Sequence, residues 1–196
     1  MTEELEKLNS AQEDLINLMK YIFSIHKSVT KVEVAFSAMI IKKAIDIIDT
    51  AKYALKKYNI TIQISLLRLL CDNCLAIEAA KEIGLATYVD MVNNGQRVSD
   101  IIVDEATEQN MSDGYLKRKV SESYQGFDRL YKFASQGVHF SNQTLASILS
   151  YDKDNNIKLN VSVGNKELKE EVINNNERMI TLTKIIIRMI KEIILV

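Results

Sequence analysis

No proline occurs anywhere in this 196-residue chain, and only six positions are glycine. Proline removes a backbone donor and its ring clashes with the preceding turn, so proline and glycine are the residues that ordinarily stop helices. A chain with so few stops, rich in Leu, Ile, Ala, Lys and Glu, is suited to long helices. At this length one domain can bury a sizeable core without disulfides or metal. The expected fold is therefore an all-α, multi-helix bundle forming a single domain over residues 1–196.

Apolar spacing divides that bundle into about six to eight helices. Leu5, Leu8, Leu15, Leu18, Ile22 and Ile25 recur at helical intervals and predict a first helix ending near Lys27. "TKVE" at 30–33 has the form of a capping box and opens a second helix reaching about Tyr58. A third runs from Ile60 to Glu82 and stops at Gly84, a natural left-handed cap position. Residues 85–111 read as shorter helices broken at "NNG", and Ser112 or Asp113 caps another. The period then changes from helical to alternating in "ASILSYDKDNNIKLNVSVGN", which predicts a small β-hairpin over about 147–163. A long C-terminal helix follows over about 165–195. Its Met179, Leu182, Ile186, Met189 and Ile193 form a heptad seam, widened by Ile180, Ile187, Ile190 and Ile194. A face that broad needs cover on two sides, from its own bundle or from a second subunit, so a homodimer through long helices is expected. Thr181, Lys184, Arg188 and Lys191 remain as a narrow polar strip.

Charge and composition exclude several functions. A formal net charge of −1 lacks the basic excess of a protein that tracks nucleic-acid backbones nonspecifically. The N-terminus "MTEELEKLNSAQEDL" is acidic, without an apolar signal core. The greasiest stretch, 179–196, is interrupted by Lys184, Arg188, Lys191 and Glu192, so no membrane contact is expected. Two cysteines are too few for a secreted disulfide framework. The expected location is the cytoplasm.

Two polar strips stand out for chemistry. In "ITIQISLLRLLCDNCLAI", Thr61, Ser65, Arg68 and Asp72 share a strip only about 60° wide on a helix that is otherwise apolar. So narrow a strip is either a modest solvent face with an Arg68–Asp72 i,i+4 pair, or a polar side turned into a cleft. In "RLYKFASQGVHFS", Tyr131, Ser135 and His139 succeed one another at four-residue spacing. A phenol, a hydroxyl and an imidazole at successive turns make a compact donor–acceptor set, and histidine is suited to proton transfer near neutral pH. Leu130, Phe133, Ala134, Gly137 and Val138 form the expected buried face of that helix.

Other motifs read as structure. "CDNC" at 71–74 lies inside a helix, away from the N-terminal dipole that activates redox thiols, and no second CxxC or other ligand set accompanies it. Buried small side chains are the expected role. Asp100, Asp104, Glu105 and Glu108 read as the solvated face of a short amphipathic helix, and "LKRKV" at 116–120 as a small basic surface patch. With no GxGxxG, P-loop or GxSxG, neither a metal nor an organic cofactor is expected.

Taken together, "SLLRLLCDNCLAIEAA", "MSDGYLKRKVSE" and "LYKFASQGVHFSNQ" resemble a group of bacterial all-helical proteins. In that group an LR-x-x-x-D/E helix precedes a Tyr-x-x-x-Ser-x-x-x-His-x-Ser helix. The similarity covers roughly the central 80 residues. That group in turn resembles HEPN-type domains, many of them RNases in toxin–antitoxin and phage-defence systems. The resemblance implies a polar centre joining Arg68 and Asp72 to Tyr131, Ser135 and His139, acting on RNA or a nucleotide, with a protein partner encoded nearby. In a metal-independent RNase, His139 would move the proton and Arg68 would steady phosphoryl charge, with Asp72, Tyr131 and Ser135 orienting them. The alternative is a non-catalytic helical module that binds a ligand or partner at the same strip. One departure favours that alternative. Nucleolytic HEPN domains carry Arg, then four to six residues, then the histidine, whereas here Lys132, with six residues between it and His139, stands at that limit and Arg129 lies too far upstream.

Overall fold

The computed structural model describes residues 2–25, 30–104, 108–138, 149–151, 156–159, 164 and 166–194. Among them are seven α-helices: α1 (Thr2–Ser24), α2 (Lys31–Lys56), α3 (Ile60–Ile83), α4 (Leu85–Asn93), α5 (Asp113–Ser123), α6 (Phe127–Val138) and α7 (Lys169–Ile194). The protein is an all-α bundle ending in a long helix, as the missing prolines imply.

Local signals set the helix ends. Thr30 closes a complete capping box with Glu33: its side chain accepts from the Glu33 amide at 3.2 Å, and the Glu33 carboxylate accepts from the Thr30 amide. Asn59 accepts from Ile62 N at 3.1 Å and starts α3 one residue past the end of the α2 turn. Gly84 has φ 86° but ψ 138°, so it is not the left-handed cap the sequence implied. It occupies a region that only glycine reaches cheaply, and the chain turns directly into α4.

α3 is the central strut, packed against α7, α6, α2, α5 and α4. It is long and apolar enough by composition to span a bilayer, yet 56% of that stretch is buried inside the bundle. α2 offers Phe36, Ile40, Ala44, Ile47, Ile48, Ala51 and Leu55 to the core, and α1 offers Leu8, Ala11, Leu15, Leu18 and Ile22. On α7, Met179, Leu182, Ile186, Met189 and Ile190 are all buried against α3, α1 and α2 of the same chain. The breadth of that apolar face is thus accounted for without a second subunit. Cys71 and Cys74 are free and wholly buried, and burial pushes the Cys71 thiol up to about 12. They pack as small apolar side chains.

Two small antiparallel ribbons decorate the bundle. The anticipated hairpin is present as β3 (Leu149–Tyr151) and β4 (Ile157–Leu159), in register Leu149↔Leu159 and Tyr151↔Ile157. Its turn at 152–155 and its outer ends lie outside the described residues. The acidic stretch expected as a short helix is instead a 3₁₀ turn (Val98–Asp100) followed by β1 (Ile102–Asp104) and β2 (Gln109–Asn110). Across that ribbon Ile102 pairs with Asn110 and Asp104 with Gln109, and the β-branched Ile102 and Val103 favour a strand over a helix. Asp100, Asp104 and Glu108 are exposed, as a solvated face requires, while Glu105 lies outside the described residues. Gly164 has φ 82°, and a Cβ there would sit 1.7 Å from the Lys57 carbonyl oxygen. Only glycine lets the chain pass that corner on its way into α7.

Candidate functional site

The two polar strips meet. Arg68 on α3 reaches its own-helix neighbour and two other helices with one guanidinium. Its Nε donates to Asp72 Oδ1 at 2.9 Å, Nη1 to Ser135 Oγ on α6 at 2.6 Å, and Nη2 to Asp113 Oδ2 on α5 at 2.8 Å. The guanidinium plane also lies over the Tyr131 ring, 4.2 Å from its centroid. Tyr131 closes the circuit by donating its hydroxyl to Asp113 Oδ2 at 2.9 Å. Four of the five expected residues therefore form one network. His139, the fifth, lies outside the described residues.

Asp113 was missed as a member. In the sequence it reads as a generic acid in the first turn of a helix, and as a rival to Ser112 for the cap. Ser112 is the cap, its Oγ accepting from Tyr115 N at 3.3 Å, which frees Asp113 to bridge Arg68 and Tyr131. The available signal was this division of labour in "MSDGY". Ser65 does not join the centre, because its hydroxyl bonds back to the Thr61 carbonyl at 3.0 Å.

α6 is rotated from the expected orientation. Phe127, Tyr131 and Ala134 point inward, while Leu130, Phe133 and Gly137 are only half-buried and Val138 is 49% exposed. Hydrophobicity alone would turn the greasier side in. The Arg68–Tyr131 stack draws the phenol inward, and Phe133 is occupied separately by Arg178 of α7, 4.0 Å from its ring centroid. Lys117 packs 5.8 Å from the Tyr131 ring and pairs with Asp128 at 2.8 Å, a carboxylate it shares with Lys132. The basic patch is thereby partly spent within the protein.

Titration follows from burial and partners. Burial pushes the Tyr131 hydroxyl up to about 12, helped by its bond to Asp113, so at neutral pH it is a donor and not a base. Burial also pushes the Asp72 carboxyl up, against the pull of Arg68. For Arg68 burial works against the charge, but Asp72, Tyr131 and Asp113 outweigh it and hold the guanidinium protonated.

The network opens on a cleft of about 340 Å³ lined by Arg68, Asp72 and Leu75 of α3, Tyr88 of α4, and Asp113 and Leu116 of α5. Exposure grades outward, from 22% for the Arg68 side chain through 33% for Asp72 to 64% for Asp113. Two carboxylates against one guanidinium leave the mouth of the cleft anionic. Among the described residues no cluster of His, Cys, Asp and Glu side chains could hold a metal ion. The chain matches no protein-family model, no curated protein and no solved structure.

Proposed function

We propose that this chain is a HEPN-like bacterial conflict module whose Arg68-centred cleft binds a ligand or partner and does not hydrolyse RNA. The observation that supports this reading is the state of the guanidinium. A phosphate clamp needs arginine's fork open to the anion. Here three of its donor directions go to Asp72, Ser135 and Asp113, and its face rests on a phenol. A phosphodiester would have to displace two carboxylates from an already anionic mouth. A compact ligand with a cationic or hydrogen-bond-donating head and an apolar body suits the carboxylates and the apolar residues beside them.

The test has two arms. Mixed RNAs are incubated without metal beside a His139→Ala control, with no cleavage expected from either. A thermal-shift screen of small amines and guanidines is expected to give stabilisation that Asp113→Asn abolishes. RNA cleavage that disappears in His139→Ala would replace this reading with the metal-independent endoribonuclease. One observation favours that second reading: Arg68, Tyr131 and Ser135 converge on the helix that leads directly to His139.

A further inference from the structure

A second groove lies elsewhere. α1 and α7 run side by side in the same direction, tied at one end by Lys7 between Glu4 and Glu177 and by Asn176 on the Glu4 carbonyl. Further along, the groove between them widens to about 640 Å³. Its α7 wall carries Lys184, Arg188 and Lys191, which lie along the polar strip of the mostly apolar C-terminal half of the helix. All three are exposed, and none forms an ion pair among the described residues. Lys7, Lys117 and Lys132, by contrast, each sit within 3 Å of a carboxylate. Glu192, the acid next to Lys191 in the chain, is engaged instead by the Tyr124 hydroxyl at 2.7 Å and by Lys81 at 3.9 Å. Asp14 is the one carboxylate on the groove lining, so positive charge is in surplus there.

The rest of the lining is of a different kind. Leu18 and Ile187 supply apolar surface, Asn17 an amide with both donor and acceptor, and Tyr21 a ring that is 45% exposed. Seven residues of helix separate Lys184 from Lys191, a rise of about 10 Å. Flexible side chains spread over that length suit several phosphate groups in a row better than one. An exposed ring beside an apolar floor suits a planar base, as in stacking on aromatic platforms. The volume falls in the usual range for small-molecule sites.

We infer that the α1–α7 groove is a nucleotide site, taking a di- or triphosphate along Lys184, Arg188 and Lys191 with the base against Tyr21. It is separate from the Arg68 cleft and stands or falls independently of it. The full-length protein is titrated by calorimetry with ATP, ADP, AMP and inorganic tripolyphosphate. Affinity is expected to fall in the order ATP, ADP, AMP, with tripolyphosphate weaker than ATP. Lys184→Gln combined with Arg188→Gln should weaken ATP by at least about tenfold, and Tyr21→Ala by at least about threefold. Both variants alter exposed positions, and circular dichroism checks that they fold. An Arg68→Lys variant should bind ATP as the parent does. Absence of saturation up to about 5 mM ATP, unchanged affinity in the double variant, or tripolyphosphate matching ATP would each overturn the assignment.

Discussion

Glu78 shows what burial does to a single carboxylate. It sits on α3 at 7% exposure, and burial pushes its pKa up, with Lys81 and Lys119 pulling against Glu82 and Glu192. A carboxyl raised in the folded state favours folding below its usual value of 4.5 and loses that contribution as pH rises through the folded pKa. Glu78→Gln should therefore raise the melting temperature at neutral pH, and the advantage should vanish below pH 4.5. Thermal melts at both pH values check this, and equal gains at both would contradict it. At the same scale the Arg68 centre was partly legible. Arg68 and Asp72 announce themselves as charges on an apolar helix, and Tyr131 and Ser135 by their period. Asp113 did not: it stands 45 residues from Arg68, and its own turn shows at most that Ser112 can take the cap, not which cation the spared acid would meet.

Helix boundaries were the most legible elements, because capping is written within four residues of chain. The Thr30–Glu33 box was visible as "TKVE" and is formed in full. Thr30→Ala removes an acceptor that satisfies an end amide, and should cost about 1 kcal/mol in urea unfolding with little change in m. What local pattern could not supply was the rotation of α6. Its inward face is chosen by Arg68 and Arg178, cations on two other helices, and a hydrophobic count along α6 contains no trace of either. The ribbon at 102–110 was lost for a related reason. Pairs such as Ile102↔Asn110 are set across strands, not along them.

At the scale of the whole molecule, α7 joins the N-terminal helices to the central strut, and its seam faces its own chain. Leu182 is completely buried, so Leu182→Ala should cost about 3 kcal/mol through lost transfer energy and the cavity left behind. Denaturant melts read that loss, and a cost below about 1 kcal/mol would mean the helix is not a core element. The periodicity alone left two ways to cover the seam, and only the long-range pairing of α7 with α3 chose between them. That arrangement also bears on birth at the ribosome. α1, α2 and α3 leave the exit tunnel long before α7 is translated, and the trough it will fill stays greasy and open meanwhile. A nascent chain stalled before residue 169 thus leaves that trough uncovered, and the bundle closes only once α7 has emerged.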